Sequence, residues 1–496
     1  MDIRLSLVTL MASVSLCASA ISVTTTSGNL AASVGENVDA TSLEISGELN
    51  AADFEFLSKK MTSLTSLDLQ NAKVVAYSGA PILMGKTEYQ ANAIPAYTFA
   101  GSKLQSIVFP DGLQVIGEGA FSSAKLSSIT IPASVNEIGM GAFSNCDELV
   151  SVTIPATVAN LESYAFIDCD KLNSVIVATT ELKASTFARC EALNSVTASS
   201  LTKIGANAFS GCVGLEEFNF SPTIKVIGNS AFQGCGLKSI DFSASELLDS
   251  IGAWAFANCG ALTTAVMNDN TSKIGEGAFF DDAMLVSFNM PMSCTVLPNY
   301  IFKGNVSIDT TNMLNHNITS IGNYALIDLN HITSFTLPNS LQYIGDNAFE
   351  GWTSLIQLDA EGIEKAVPEL GENVWEGVDQ SNVSLYVSKD LVEDFKMTDQ
   401  WKEFKISDRT SVEGIQEDEI SNRISASFVG YDLIVKADVE ITQVSVFDSS
   451  ARQFVVDSTK GYEVVINTAN WDCPFYIVKV VLADESVATL KVARCI

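Results

Sequence analysis

Basic residues are scarce in this sequence. Its 496 residues include 28 lysines and arginines against 58 aspartates and glutamates, which gives a formal net charge of −30. A chain with this charge repels nucleic acids and anionic membrane surfaces, so neither is expected as a partner. Cations and basic protein surfaces are the partners that the charge favours.

Histidine is nearly missing, since only His316 and His331 occur. Neither belongs to a catalytic or metal-binding spacing, and the carboxylate pair Asp281-Asp282 has no partner pattern. The segment APILMGKT (80–87) satisfies a nucleotide-binding pattern formally, but its interior is apolar and no helix start follows it. We therefore expect no catalytic residue, metal or cofactor, and we expect residues 80–87 to form a surface insertion.

Long apolar runs are missing after residue 20, so no membrane-spanning helix is expected there. In residues 1–20, Arg4 precedes an apolar run that ends at Leu16, and Ala18-Ser19-Ala20 follows. This order is typical of a secretory signal peptide cleaved after Ala20. Lipid attachment at Cys17 is the weaker alternative, because a small residue would be needed at Leu16. The sequence therefore predicts an exported protein, secreted or held at a cell surface.

A repeated phrase organises the middle of the chain. IGANAFSGC (204–212) recurs with small changes, for example as IGNSAFQGC (227–235) and IGDNAFEGW (344–352). Its aromatic residue returns every 21 to 24 residues, and Leu326 fills one position of the series. The aromatic positions are Phe99, Phe121, Phe143, Phe166, Phe187, Phe209, Phe232, Phe256, Phe279, Phe302 and Phe349. Such a period indicates a repeat architecture.

A second phrase alternates apolar and polar residues after each turn. Its copies include LSSITIP (126–132), LVSVTIP (149–155), LNSVIV (172–177), LEEFNF (215–220), LKSIDF (237–242) and ITSFTLP (332–338). This alternation predicts one short strand per coil, and stacked coils place such strands in a parallel sheet. The predicted fold class is a repeat solenoid with one short parallel β-strand in each 21–24-residue coil.

The residues of the IGxxAF phrase are expected to have separate roles. Ile and Phe point into the core, Ala leaves room for the neighbouring ring, and Gly permits a tight turn. The glycine is replaced at Leu161-Glu162, Leu182-Lys183 and Leu297-Pro298, so we expect these coils to bend differently.

The period, the strand phrase and the AF signature resemble BspA-like leucine-rich repeats of bacterial surface proteins, over about residues 60–390. Residues 43–69 and 385–404 are similar to the entry segment and the capping helix of that family. The predicted domains are a signal peptide (1–20), an N-terminal cap (21–62), a leucine-rich repeat solenoid (63–388), a capping helix (389–410), a linker (411–422) and a C-terminal domain (423–496).

Residues 423–496 alternate at period two between turn signals, which predicts a small all-β sandwich. VSVFDSSARQF (444–454) and CPFYIVKV (473–480) resemble strands of type IX secretion sorting domains, although Ala451 and Pro474 stand where glycine is usual. Cys473 and Cys495 lie on neighbouring predicted strands. In an exported protein they form either a disulfide or two free thiols.

Six cysteines follow the repeat aromatic at a fixed distance of three residues. They are Cys146, Cys169, Cys190, Cys212, Cys235 and Cys259. Equivalent positions in stacked coils point the same way, which does not suit the converging ligands of a metal site. Buried thiols are the favoured interpretation, and stacked disulfides are the alternative.

The outward positions of the strand phrase form the candidate binding face. Its residues are Ser128, Thr130, Ser151, Thr153, Ser174, Ser195, Thr197, Asn219, Ser239 and Asp241. We interpret this face as the surface of an adhesin or protein-binding scaffold that is monomeric and binds an unknown protein on a host or bacterial surface. Two alternatives stay open: small polar residues that only keep the sheet soluble, and a glycan-binding surface, which would need aromatic platforms.

Overall fold

The computed structural model describes residues 20–310, 313–408, 424–429, 432–447, 453–457, 460–468, 475–483 and 487–493. The chain divides into two compact units, Met1–Asp408 and Arg409–Ile496. The first is a parallel β-solenoid of about 17 turns with little helix. Residues 1–19 of the predicted signal peptide, the predicted linker, Cys473 and Cys495 lie outside the described residues. None of the described helices is long and apolar enough to cross a membrane.

Two helices shape the entry to the solenoid, Leu30–Val34 and Ala51–Lys60. Asn50 caps the second helix, and its side chain accepts a hydrogen bond from the Ala52 amide. The carboxylate of Asp53 accepts hydrogen bonds from the backbone amides of Asn50, Gly28 and Leu30 at 2.7–2.9 Å. Asp53 is buried, so these three bonds both replace its hydration and tie the helix to the first coil.

Parallel strands from successive coils form one side of the solenoid, which we call the strand face. These strands are Ala20–Thr25, Ser42–Leu49, Ser66–Asp68, Ser106–Val108, Ser151–Ile154, Ser174–Val177, Ser195–Thr197, Ser239–Asp241, Thr264–Val266, Ser287–Phe288, Ser334–Thr336, Gln357–Ala360, Ser384–Val387 and Lys405–Ser407. Ala72–Val74 pairs with the second half of Ser42–Leu49. The predicted parallel strand in each coil is thus present in most coils.

A second ladder of two-residue strands, which the sequence did not predict, runs just before the IGxxAF turns. Its members are Ala93–Ile94, Val115–Ile116, Glu137–Ile138, Asn160–Leu161, Glu181–Leu182, Lys203–Ile204, Val226–Ile227, Ser250–Ile251, Lys273–Ile274, Val296–Leu297, Ser320–Ile321, Tyr343–Ile344 and Glu369–Leu370. Each is parallel to its neighbours in adjoining coils. We call this side the short-strand face.

The strand face is interrupted in two described coils where the sequence predicted strands. LSSITIP (126–132) and LEEFNF (215–220) form no strand, so these two predictions are wrong. Inward aromatic rings lie next to both interruptions. Phe109 of the preceding coil packs edge-on against Phe121 at 5.7 Å, and Phe218 packs edge-on against Phe232 at 5.0 Å.

The glycine of the IGxxAF phrase has a different role from the predicted one. Gly205 does not adopt a left-handed conformation; Asn207 (φ 56°) and Gly211 (φ 76°) do so instead. A Cβ at Gly205 would lie 2.7 Å from the carbonyl oxygen of Leu182 in the preceding coil. Glycine is therefore required because two backbones approach closely, and the assignment of Gly205 to the bend is wrong.

The coils that lack this glycine show the consequence. The short-strand ladder stops between Asn160–Leu161 and Glu181–Leu182, and again between Lys273–Ile274 and Val296–Leu297. The second strand at each break is followed by Lys183 or Pro298 in place of glycine. Glu162 is tolerated, since its amide still donates to the Ile138 carbonyl at 2.9 Å. The sequence predicted that coils without this glycine would differ. At two of the three positions they do, because the short strand does not pair with that of the preceding coil.

A stack of phenylalanine rings fills the core, as the repeat predicted. From Phe99 to Phe302, rings of successive coils stack with centroids 5.1–6.2 Å apart and planes within 22° of parallel. Leu326 interrupts the stack, and Phe349 then stacks on Trp375 at 4.7 Å. Offset stacking at this spacing adds to the hydrophobic gain from burying each ring.

The solenoid ends in a short cap. Within residues 389–410 the structure has a 3-10 turn (Lys389–Leu391), the helix Val392–Met397, a second 3-10 turn (Trp401–Glu403) and the strand Lys405–Ser407. The helix is therefore much shorter than the predicted capping segment. Trp401 is fully buried and donates its indole N–H to the Pro368 carbonyl at 3.0 Å. A large ring thus covers the core beside the last described coil of this unit.

In its described residues the second unit has six antiparallel strands in one sheet. They are Ile424–Val429, Asp432–Phe447, Gln453–Asp457, Gly461–Asn467, Phe475–Leu482 and Val487–Ala493. The 16-residue strand Asp432–Phe447 pairs with four others, and its register shifts between Lys436 and Ile441. These strands agree with the predicted period-two segments, whereas the sandwich arrangement stays a prediction.

Candidate functional site

The strand face brings together part of the predicted binding face. Ser151, Ser174 and Ser195 stand in register across three paired strands, and Thr153 aligns with Thr197 across Ile176. Ser239 and Asp241 lie on the next sheet, and Ser128, Thr130 and Asn219 lie in the two interrupted coils. Nine of these ten side chains are exposed and Ser174 is half-buried. The predicted face thus consists of separate patches, because the interruptions divide it.

The largest of these patches, on Ser151–Ile154, Ser174–Val177 and Ser195–Thr197, is not purely polar. Ile176 is 46 % exposed at its centre, and Val150 is 45 % exposed at its margin. On the next sheet the Asp241 carboxylate accepts a hydrogen bond from the Ser243 amide at 2.8 Å. Hydrogen bonds from the Ser243 side chain and backbone lower the pKa of Asp241. The patch therefore offers hydroxyls and an exposed aliphatic centre, a mixture suited to protein contact.

The cysteine column is confirmed as a set of buried free thiols. Each thiol lies 3.1–3.2 Å from the carbonyl oxygen of the repeat phenylalanine in the preceding coil and donates to it. Burial raises the pKa of Cys146 to about 12, which suppresses the reactive thiolate. Trp352 occupies the same column and donates its indole N–H to the Leu326 carbonyl at 2.6 Å. The column therefore supplies donors for turn carbonyls that are buried away from water.

Asp282 and Asn305 continue this column after Cys259. Asp282 is fully buried, and its Oδ1 accepts the Cys259 amide at 2.7 Å. Asn305 Oδ1 accepts the Asp282 amide at 3.0 Å, whereas Asp282 Oδ2 and Asn305 Nδ2 have no hydrogen-bond partner. Burial raises the pKa of Asp282 well above its usual range. A buried carboxyl group thus stands where other coils have a thiol.

The remaining sequence motifs have structural positions. Residues 80–87 lie in an antiparallel hairpin, Tyr77–Ile82 paired with Lys86–Tyr89, which confirms the surface insertion. His331 lies 3.0 Å from the Ile308 carbonyl through Nε2, and His316 is exposed. Among the described residues there is no group of three or more histidine, cysteine or acidic side chains that could hold a metal.

Charge is distributed unevenly along the solenoid. Residues 125–240, the paired coils, contain ten acidic and seven basic residues. Six of these bases pair with an acid of an adjoining coil, including Arg189 with Asp168 at 2.6 Å and Lys171 with Glu148 at 2.7 Å. Residues 241–388, the acidic coils, contain 18 acidic and three basic residues. Three bases can neutralise only a small part of that charge.

An aromatic feature of the acidic coils was not predicted. Tyr300 and Tyr324 stack at 5.1 Å with planes 5° apart, and Trp254 lies 6.4 Å from Tyr300. All three are half-buried and lie at the first left-handed position of the turn. The signal was present in the sequence, since each stands two residues before the repeat aromatic or Leu326. Only the turn geometry shows that these three residues form one column.

A repeat-family model, the BspA type leucine-rich repeat region, matches residues 92–200, 180–309 and 298–422. Similar solved structures include a leucine-rich repeat protein from Bacteroides ovatus, with 21 % identity, a TM-score of 0.47, and coverage of 73 % of this chain and 83 % of that one. A leucine-rich cell surface protein from Faecalibacterium prausnitzii has 23 % identity, a TM-score of 0.30, and coverage of 56 % and 86 %. Among proteins with curated sequences, none matches this chain.

The family assignment rests on the sequence match, since both TM-scores lie below 0.5. The three matched ranges together span residues 92–422, well over half of the chain, and contain the stacked phenylalanines, the turn glycines and the thiol column. These are the features that one coil needs to pack on the next. The chain belongs to the family of BspA-type leucine-rich repeat proteins.

Proposed function

We propose that this protein is exported, is held at the cell surface or secreted, and acts as an adhesin or protein-binding scaffold. The observation that carries this proposal is the registered patch on the strand face, where exposed hydroxyls surround the exposed side chain of Ile176. Binding would consist of many weak contacts over a broad area without a catalytic residue, and the protein would act as a monomer.

Export is supported by the order of charged, apolar and small residues in residues 1–20. The C-terminal strands support a role in sorting or attachment, since VSVFDSSARQF and CPFYIVKV resemble those of type IX sorting domains. Secretion of a reporter fused to residues 1–20, and of the chain with and without residues 423–496, tests both parts of this proposal.

A matched pair of variants tests the strand face. Thr153→Arg adds a bulky charge to the patch, whereas Asn160→Arg adds the same group to the short-strand face of the same coil, and both positions are exposed. A protein captured from host or bacterial surface extracts by the wild type and by Asn160→Arg, but not by Thr153→Arg, would support the proposal. Equal capture by all three would refute this patch as the binding site.

A glycan array with the same variants distinguishes a glycan-binding function from the protein-binding scaffold. The outward positions of the three paired strands carry no aromatic ring, so we expect weak sugar binding there. Strong binding of a specific glycan that Thr153→Arg abolishes would replace the protein-scaffold proposal with a lectin function.

A further inference from the structure

A second surface of the acidic coils lies along their turns. Each repeat turn has two left-handed residues, such as Tyr300 and Gly304 or Tyr324 and Asp328. Stacking of coils aligns these positions into two neighbouring columns. We call the part of these columns between Trp254 and Gly351 the turn edge.

Aromatic side chains form the first column of the turn edge. Trp254 leans across the next coil, so that a Cβ at Gly277 would lie 2.4 Å from its Cε3 atom. The indole thus fills the place of the missing Gly277 side chain and reaches the ring of Tyr300, which stacks on Tyr324. The result is a continuous, half-buried aromatic strip over four successive coils, from 254 to 324.

Two carboxylates lie in the second column, each followed by a glycine in the next coil. Asp281 and Asp328 are exposed, and each lies over a glycine of the next coil, Gly304 or Gly351. In the paired coils the same column contains Asp168 followed by Arg189, whose Nε and Nη2 both donate to the Asp168 carboxylate at 2.6 Å. The acidic coils therefore keep the carboxylate and have glycine in place of the arginine that neutralises it.

Lys303 shows which chemistry this surface recognises. It lies between the two columns, and its ammonium is 5.9 Å from the ring centre of Tyr300 and 5.6 Å from that of Tyr324. These are distances at which a cation is attracted by the ring quadrupole. The Lys303 ammonium thus already occupies part of the strip, in the place that a cationic group of a partner would take.

We propose that the turn edge binds a lysine- or arginine-rich segment of a protein partner. The aromatic strip attracts the cationic heads, and Asp281 and Asp328 pair with them in the way that Asp168 pairs with Arg189. The excess of 18 acidic over three basic residues in these coils attracts such a segment and repels acidic competitors. This inference rests on the proposed protein-binding function and adds a second site, separate from the strand face.

A fluorescent dodecapeptide of alternating arginine and glycine is the probe, and its affinity for the full chain is measured by fluorescence anisotropy. The double variant Tyr300→Leu, Tyr324→Leu keeps the net charge, and we expect it to weaken binding about tenfold, because two cation–π contacts are lost. The matched control is Tyr97→Leu, Tyr164→Leu, which removes exposed tyrosines from the same column in earlier coils and should leave affinity unchanged.

Lys303→Gln both removes a positive charge and uncovers the aromatic strip. It is therefore paired with Lys273→Gln, which removes a charge only. Both variants remove one positive charge from the acidic coils, but only Lys303 covers the strip. We expect Lys303→Gln to tighten peptide binding more than Lys273→Gln does. If the tyrosine variant fails to fold, Asp281→Asn with Asp328→Asn tests the same edge through exposed side chains, with a severalfold loss of affinity expected.

Several outcomes would overturn the inference. Unchanged affinity in the tyrosine variant, or an equal loss in its control, would show non-specific attraction by net charge. Binding of a fluorescent maltohexaose that the same variant abolishes would assign the strip to neutral glycans. Thr153→Arg should leave the peptide affinity unchanged, so a loss there would transfer the peptide to the strand face, refute the turn edge and leave the proposed scaffold function standing.

Discussion

The paired coils and the acidic coils have the same backbone plan but different turns. In both regions a phenylalanine stack and buried donors from the thiol column fill the interior. In the paired coils, bases such as Arg189 reach an acid of the adjoining coil. In the acidic coils the corresponding column has Gly304 and Gly351 beside Asp281 and Asp328. Inward residues thus maintain the repeat, whereas outward turn residues are free to give each region its own surface.

The largest expected effect tests the shared interior. Phe209→Ala removes a fully buried ring stacked between Phe187 at 5.6 Å and Phe232 at 5.3 Å. We expect the free energy of unfolding to fall by about 3–5 kcal/mol because a cavity is left between two rings. Urea unfolding followed by circular dichroism measures the change. Val213→Ala, in the same coil but 59 % exposed, serves as control and should change little. A similar fall in the free energy of unfolding of both variants would contradict a stabilising role of the phenylalanine stack.

The next effect tests the close approach of coils. Gly205→Ala places a Cβ 2.7 Å from the Leu182 carbonyl oxygen, and it should destabilise the fold by about 1–3 kcal/mol because one coil must move. Gly260→Ala has open space within 4 Å, so it should be neutral or slightly stabilising. Thermal unfolding of both variants decides the matter. A tolerated Gly205→Ala would mean that the two coils can move apart at little cost.

The inward plan of the coils could be predicted from the sequence, because burial imposes a period on residues such as Ile204 and Phe209. The thiol column was predictable for the same reason, since Cys212 keeps a fixed distance from Phe209. Both properties depend on spacing within one coil. The sequence states that spacing directly.

Contacts between coils could not be predicted in this way. The role of Gly205 depends on a backbone 23 residues earlier, where the Leu182 carbonyl leaves no room for a Cβ. The aromatic strip requires Trp254 to lean across Gly277 toward Tyr300, two coils away. These contacts join residues of different coils, so the residues of a single repeat do not reveal them.

Asp282, in the thiol column of the acidic coils, should make stability depend on pH in a way that the thiols of the paired coils do not. The pKa of Asp282 is raised in the folded state by burial, so the native protein binds a proton more tightly than the unfolded chain. Its contribution to stability is therefore complete below the unfolded pKa, near 4, and is lost as the pH rises toward the folded pKa, with a slope of at most about 1.4 kcal/mol per pH unit.

Asp282→Asn should remove this part of the pH dependence. Urea midpoints measured from acidic to neutral pH are expected to fall less steeply in the variant than in the wild type. Cys212→Ala, a buried change in the paired coils, should lower stability at every pH and keep the wild-type slope, because burial also raises the pKa of that thiol far above this pH range. Equal slopes for the wild type and Asp282→Asn would show that Asp282 is ionised in the native protein.

The smallest expected effect tests the difference between the two regions directly. Asp168→Asn and Asp281→Asn make the same change at the same left-handed turn position, where asparagine is favourable, so backbone effects cancel in the comparison. Asp168→Asn also breaks the ion pair with Arg189, whose side chain is 61 % exposed, and should cost about 0.2–1 kcal/mol, less at high salt. Asp281→Asn relieves repulsion among the acidic coils and should cost nothing. Equal costs in chemical unfolding would mean that the ion pairs do not distinguish the two regions energetically, and that their difference concerns recognition alone.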